Sequence, residues 1–412
     1  MKKTSSKPYM IYLFITGADW FLLSLFSTVI YVFLATYVTN DPFQLVFFWT
    51  VLTAATLIFE IPTGLVADVY SRRLSVIIGF GLMGIAALIQ GLFPVYGIML
   101  IGQVITGIGY TFISGAKDAW IADEVGDSIV NQAYMQGSQV GQIAYLIGIP
   151  ISTALGTIAL NIPIILSGSL LLLVALLLVL IMPEEGFQPS SSKERDSWPV
   201  IFNTFKDSIR MVRGRTILLA ILIISAVYGL SGSGFDDLWT VFMLENIQFP
   251  NFGDYEPIVW FGILNTVVTI LGLIGTEYIR RVVDLERQSI VVRTLLYLTI
   301  LTAVSMIIFG VTKNFWLAGS VYCLSITFRT MSDPIFRIWI NQNIESNVRA
   351  TIMSMDSQAN SLGLMIGGPI IGLIGTMISL PAALITAGLA RVPVAILYAR
   401  LALKGKKEPG RD

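Results

Sequence analysis

Gly64-Leu65-Val66-Ala67-Asp68-Val69-Tyr70-Ser71-Arg72-Arg73 joins two long apolar stretches, residues 43–67 and 75–93. A helix needs ~20 mainly apolar residues to cross a hydrocarbon core about 30 Å thick, and both stretches are long enough. The decapeptide therefore reads as the turn between two membrane-spanning helices. Gly64 permits close approach of neighbouring helices, Asp68 can cap or pair at a helix end, and Arg72 and Arg73 anchor the turn at the inner surface.

Outward from this turn, further apolar stretches recur at residues 10–38, 96–123, 132–160 and 162–182, then at 216–245, 257–279, 289–312, 315–342, 350–378 and 381–403, which with the first two makes twelve. Composition agrees, since 55% of the 412 residues are hydrophobic, 13% are charged and the mean hydropathy is +0.77. A soluble domain carries roughly twice that charge. Barrel strands would alternate apolar and polar residues over segments of about ten, whereas residues 170–181 are apolar on every side. The first stretch follows Lys2, Lys3 and Lys7 as a signal peptide would, but its apolar run is too long and no small-residue cleavage site ends it, so a retained span is expected.

An even number of spans puts both termini on one side. That side receives Lys2, Lys3, Lys7, Arg72, Arg73, the basic residues of 193–215, Arg280, Arg281, Arg287, Arg349, Arg400 and the lysines of 404–407, while the opposite loops hold only Lys313. The positive-inside rule makes the first side cytoplasmic. A multi-pass protein of the cell membrane with both termini inside, in a bacterial inner membrane, is expected.

Three domains follow: residues 1–182 as an N-terminal six-helix bundle, 183–215 as a cytoplasmic linker and 216–412 as a C-terminal six-helix bundle. Residues 189–196 of the linker have the composition of a flexible segment. Trp198, Ile201, Phe202, Phe205, Ile209 and Val212 then fall at helical spacing opposite Asn203, Lys206, Asp207, Arg210 and Arg213, the pattern of an amphipathic helix lying on the inner membrane surface. A fixed offset of 219 residues maps Ser138-Gln139 onto Ser357-Gln358, Gly148 onto Gly367, Pro150 onto Pro369 and Gly156-Thr157 onto Gly375-Thr376. The fold class is thus all-α integral membrane, twelve transmembrane helices in two pseudo-symmetric six-helix bundles. Parallel repeats of this kind are a transporter architecture, with the substrate held at their interface near the bilayer midplane.

The decapeptide resembles the signature Gly-x-x-Ala-Asp-x-x-x-Arg-Arg/Lys of the major facilitator superfamily, with Ser71 where family members usually have glycine. The resemblance implies a conformational latch made by Gly64, Asp68, Arg72 and Arg73. The matching loop of the second half, around Gly275, Glu277, Arg280, Arg281 and Asp284, is degenerate. Gln103-Val104-Ile105-Thr106-Gly107-Ile108-Gly109 resembles the Arg-x-x-x-Gly-x-Gly motif of proton-coupled facilitators with glutamine replacing the arginine. The glycines and prolines of 141–150 and 363–372 resemble, with altered spacing, the glycine-proline motif of the drug/proton antiporters, with tight helix packing alone the favoured reading.

Histidine is absent and Cys323 is the single cysteine, which removes the commonest metal ligand and any internal disulfide. No metal or cofactor is expected, and proton chemistry falls to carboxylates. Charges inside membrane helices are expensive and tend to face a cavity or pair. Asp19, beside Trp20, reads as a lone acid in the first helix, with Asp236 and Asp237 in the seventh; in the family these two helices line the central cavity. Arg329 shares a face with Asp333 and Arg337 at i, i+4 and i+8, with Asp333 favoured as its partner over an anionic substrate. Asp356 and Asn360 form a further i, i+4 pair, and Gln132, Gln136, Gln139 and Gln142 make a neutral polar stripe. Lys117, Asp118 and Asp123 read as a cytoplasmic cluster with Arg72 or Arg73, Glu60 as the local partner of an arginine, and Arg391 as a snorkelling or paired residue without a role. The candidate substrate and proton residues are Asp19, Trp20, Gln139, Gln142, Asp236, Asp237, Arg329, Asp333, Asp356 and Asn360.

Nothing resembles a nucleotide-binding loop, so an ion gradient is the expected energy source. The expected function is non-enzymatic: a secondary active transporter working by alternating access, with proton-coupled efflux of small organic or lipophilic compounds. The alternative is an uptake or symport carrier for a polar metabolite such as a sugar or organic anion. The expected partners are a small-molecule substrate, protons and membrane lipids, with no nucleic acid, and a monomer is expected.

Overall fold

A computed structural model describes residues 6–188, 216–250, 257–344 and 349–405. The helices are α1 (Ser6–Phe33, extended by the π-helical turn Leu34–Val38), α2 (Pro42–Val69), α3 (Arg72–Leu92), α4 (Tyr96–Ile113), α5 (Ala116–Val125), α6 (Asp127–Gly156) and α7 (Asn161–Ile181). The second half supplies α8 (Thr216–Asn246), α9 (Pro257–Val282), α10 (Gln288–Val311), α11 (Phe315–Gln342), α12 (Arg349–Met377), α13 (Leu380–Leu389) and α14 (Val392–Gly405). The flexible stretch expected at 189–196 and the amphipathic helix expected at 198–212 lie outside the described residues.

These helices make twelve membrane spans, because α4 with α5 and α13 with α14 each cross as one interrupted span. Ten spans are apolar enough to qualify on length and composition alone. The other two, α6 and α11, fall short for a chemical reason. α6 carries Gln132, Gln136, Gln139 and Gln142, and α11 carries Arg329, Asp333 and Arg337. Polarity of that kind inside a span points to protein-facing work.

Helix partners repeat between the halves. α1 packs on α6 and α7 while α3 packs on α4 and α7; correspondingly α8 packs on α12 and α13 while α10 packs on α11 and α13. The chain divides into two compact units: residues 6–40, 51–188 and 257–263 form the first, and residues 41–50, 216–250, 264–344 and 349–405 the second. The first unit has a core that includes Ile15, Leu25, Phe80, Trp120 and Ile121. Ile221, Ile224, Leu295, Trp339 and Tyr398 belong to the core of the second.

Lipid is as apolar as leucine, so helices in a bilayer gain little by hiding apolar surface and associate instead through close contact and hydrogen bonds. Glycine supplies that contact in both halves, with Gly148 and Gly367 at equivalent places in the repeat. A Cβ on Gly141 would come within 2.7 Å of Trp20, and one on Gly148 within 1.7 Å of the Ser24 hydroxyl. In the second unit, a Cβ on Gly363 would lie 2.0 Å from the Ala226 carbonyl oxygen and one on Gly367 2.4 Å from the Leu230 Cα. The glycine-proline elements of α6 and α12 are therefore the seams along which each packs on α1 or α8. Gly64 differs: a Cβ there meets nothing within 4 Å, so the close helix approach expected at this position is not made by it.

Gly363→Ala drives a methyl into backbone that cannot move aside, and overpacking of this kind costs about 1–3 kcal/mol. Thermal unfolding of the purified protein in detergent is expected to show a lower midpoint for Gly363→Ala and an unchanged one for Gly64→Ala. Equal midpoints for the two variants would remove the packing role.

Candidate functional site

In the first unit the polar groups converge on the short helix α5. It is bracketed by Gly115 (φ 76°) and Gly126 (φ 75°), the only residues with positive φ among those described. A side chain in that conformation is strained and glycine is not, so the chain breaks at these two points and α5 takes a direction of its own. The uninterrupted helix expected over residues 96–123 is thus corrected to two pieces.

The break turns Lys117 toward α1, where its Nζ lies 3.1 Å from an Asp19 carboxylate oxygen, both side chains mostly shielded. Asp19 is not a lone acid, and Lys117 does not belong to the arginine cluster. Next to the pair, Trp20 stands edge-on to Tyr145, with ring centroids 5.9 Å apart. Gln139 and Gln142 are exposed on α6, and the Gln142 amide donates to the Ser138 hydroxyl at 3.1 Å.

The remainder of α5 ties down the end of the first unit that carries the α2–α3 turn. Tyr12 donates to the Asp118 carboxylate at 2.9 Å and Tyr134 to its backbone oxygen at 3.0 Å. Trp120 donates to the Pro183 carbonyl at 2.7 Å, and Glu124 accepts from the backbone of Glu185 and Gly186 at 2.7 and 2.8 Å. Asp123 pairs with Arg72, which also donates to the Ala119 carbonyl at 3.0 Å and lies 3.7 Å from the exposed Asp68. Arg73 reaches the Val179 carbonyl at 2.5 Å.

Ser71 caps α3 by accepting from the Leu74 amide at 2.9 Å and donates to Glu184 at 2.6 Å. Its backbone is extended, with φ −175°, a conformation any residue adopts, so serine replaces the usual glycine without strain and adds a cap. Glu60 is exposed and pairs with no arginine among the described residues, contrary to expectation. Gln103 is buried and accepts from the Gln90 amide at 3.2 Å. A neutral amide pair occupies the place of the motif's arginine.

In the second unit Arg329, near the middle of α11, meets Asp236 on α8 in a two-pronged ion pair, with Nη1 to Oδ1 at 2.5 Å and Nη2 to Oδ2 at 2.7 Å. The expected partner, Asp333, is exposed one turn further along α11. Gly232 explains the preference, because a Cβ there would come within 3.1 Å of Arg329 Nη2. The missing side chain on α8 leaves room for the guanidinium to cross. Asp237 is buried and accepts from the Ser233 hydroxyl at 3.1 Å. Asp356 accepts from the Ser225 hydroxyl, and the Asn360 amide donates to the Ser225 carbonyl at 3.2 Å. Asp356 and Asn360 are joined through one serine of α8 and so brace α12 against it.

Arg391 sits at the break between α13 and α14 with 4% of its surface exposed. Its Nε donates to the Ser231 hydroxyl at 2.9 Å, and its guanidinium carbon lies 5.0 Å from the centre of the Tyr228 ring. The sequence carried a signal for this cluster that the expectations above did not use: Pro393 stands two residues after Arg391, as Gly115 stands two before Lys117. Each marks a helix interruption beside a cation.

The Major Facilitator Superfamily model matches residues 9–368. The chain belongs to the Major Facilitator Superfamily. Among curated relatives, an uncharacterized MFS-type transporter, YxaM of Bacillus subtilis (strain 168), is 21% identical over 370 residues, 87% of each chain. Crystal structures of the nucleoside transporter NupG (TM-score 0.73, 15% identity, 97% of this chain and 99% of that one) and of a peptide transporter POT in complex with sulfate (TM-score 0.75, 12% identity, 97% and 94%) share the fold. The superfamily chain is a membrane transporter, not an enzyme.

Removing one partner of the Arg329–Asp236 pair leaves a charge alone at mid-span, which costs about 2.5–3.5 kcal/mol on insertion scales. A double-mutant cycle on thermal stability is expected to show Arg329→Leu and Asp236→Leu each destabilising and the double variant closer to wild type than either. Additive losses would show that the two side chains do not depend on each other.

Proposed function

We propose that this transporter is a secondary carrier working by alternating access, which exports small organic or lipophilic compounds in exchange for protons. It acts as a monomer in a bacterial inner membrane with both termini in the cytoplasm. The observation that carries the proposal is the Asp19–Lys117 pair at 3.1 Å beside the α4–α5 break. In a chain without histidine, a carboxylate is the group that can take up and release a proton in each cycle. Protonating Asp19 removes its charge, frees Lys117 and loosens α5. The same helix holds Arg72 through Asp123, so proton binding at Asp19 relaxes the turn that the family uses as a latch.

Trp20 and Tyr145 give the neighbourhood of Asp19 an aromatic wall, suited to a lipophilic solute. Export as the direction rests on the likeness of the α6 and α12 glycine-proline elements to those of drug/proton antiporters. The second reading, uptake or symport of a polar metabolite such as a sugar or organic anion, is favoured by the charged groups of the second unit. It is favoured also by the structural neighbours, a nucleoside transporter and a peptide transporter.

The test uses everted membrane vesicles with a small radiolabelled lipophilic acid, 4-phenylbutyrate, as the probe, against vesicles without the protein. Uptake that collapses on adding an uncoupler is expected for wild type, and Asp19→Asn is expected to lose the dependence on the proton gradient. Uncoupler-insensitive transport in wild type, or an Asp19→Asn variant with wild-type rate and pH dependence, would overturn the proposal.

Arg72→Ala separates the latch from the coupling. It is expected to slow turnover severalfold while leaving the transport that remains sensitive to the uncoupler, and Asp68→Asn, whose contact is longer and more exposed, is expected to do less. Initial rates in the same vesicles measure both, and unchanged rates in both variants would dismiss the latch.

A further inference from the structure

Arg391 is the deeply buried cation of the second unit with no carboxylate at ion-pair distance among the described residues. Arg329 in the same unit is neutralised by Asp236. Arg391 instead has one hydroxyl, Ser231 Oγ at 2.9 Å, and the face of the Tyr228 ring at 5.0 Å. Ser231 is itself committed, since its hydroxyl donates to the Ala387 carbonyl at 2.8 Å. Tyr228 is fixed in the same way, its hydroxyl lying 3.0 Å from that of Thr299 and donating to that of Tyr398 at 3.3 Å. The scaffold thus holds the arginine by its Nε edge and one face, and leaves the two Nη groups without a hydrogen-bond partner among the described residues.

A charge shielded from water with no carboxylate at ion-pair distance is costly inside a span, and such residues mark ligand or ion pathways. The free edge of a guanidinium, two parallel N–H groups, matches the two oxygens of a carboxylate. The residue also lies at the start of α14, where the helix dipole favours negative charge. An aromatic row continues from the ring it packs against: Tyr228 packs on Phe336, Phe336 on Trp339, and Trp339 on Tyr398, with centroids 5.7 to 5.9 Å apart.

We infer that Arg391 receives the carboxylate of an amphipathic organic acid, so that the transported class is small organic anions with an apolar body. This rests on the carrier function proposed above and narrows its substrate.

The experiment is a thermal-shift titration of the full-length protein in detergent with 4-phenylbutyrate and, as its neutral counterpart, 4-phenylbutyramide. The acid is expected to raise the unfolding midpoint of wild type and the amide to leave it unchanged. Arg391→Gln is expected to fold, since it removes a buried charge, and to weaken the acid's effect at least about tenfold, the loss of one charge-assisted interaction. Arg391→Lys, which keeps the charge without the fork, is expected to retain a weaker acid-specific shift. Equal shifts by acid and amide in wild type, no shift by the acid, or an undiminished shift in Arg391→Gln would each overturn the inference. Failure of the carrier proposal is distinguishable: a protein that binds the acid through Arg391 but shows no uncoupler-sensitive transport keeps this site and loses the proton coupling.

Discussion

Water cannot reach the hydrocarbon core, so a polar or charged group inside a span must be answered by another group of the protein. Much of the internal arrangement follows from that constraint. Asp19 is answered by Lys117, Asp236 by Arg329, Asp356 and Asn360 by Ser225, and Asp237 by Ser233. Every one of these links joins residues of the same compact unit. Four of these acids lie on α1, α8 or α12, the helices that the repeat pairs most closely. Of these contacts, those of Asp356 and Asn360 with Ser225 cross the α8–α12 seam that glycine makes close.

The two devices depend on each other. Helices meeting through leucine-sized side chains would stand too far apart for a serine on one to reach a backbone carbonyl on the next. Ser152 donates to the Leu25 carbonyl and Ser167 to the Leu22 carbonyl at 2.7 and 2.8 Å, tying α6 and α7 to α1. Ser231 does the same from α8 to Ala387 of α13. Each such bond contributes little alone, about 0.6 kcal/mol on average between membrane helices. Close backbone approach multiplies their number and adds dispersion contacts, which substitute for the hydrophobic drive that lipid removes.

The fold was legible because its signal is redundant. Long apolar stretches, the distribution of arginine and lysine, and the 219-residue offset each point to twelve helices in two halves, and a local error in one leaves the others intact. Even the two helices too polar to qualify as spans on composition, α6 and α11, were recoverable from that frame. The pairings were less legible. Helical spacing put Asp333 beside Arg329, and the i, i+4 relation is real. An arginine side chain reaches across a helix interface as easily as along its own helix, however, and Gly232 on the facing helix clears the way to Asp236. Sequence spacing reports neighbours on one helix only; which residue stands opposite depends on rotation and register between helices. Asp19 looks alone in the sequence for the same reason, since its partner lies 98 residues away.

Interruptions in two spans mark where two of the cations, Lys117 and Arg391, sit. A continuous helix satisfies its own backbone, and a broken one frees amide and carbonyl groups that the bilayer cannot hydrate, so breaks are tolerated where protein encloses them. Those are also the places where a lysine or arginine is least costly, close to carboxylates, hydroxyls and aromatic faces. Lys117 follows Gly115, and Arg391 stands between α13 and α14. For α5 this has a mechanical consequence. Its ten residues carry Lys117 at one end and Asp123 at the other, with a positive-φ glycine beyond each. A rigid segment between two backbone pivots moves as one body, so a change in the force on Lys117 reaches Asp123, and through it Arg72, without any intermediate side chain having to rearrange. In the proposed cycle, the charge state of one carboxylate in α1 thereby acts on the turn between α2 and α3.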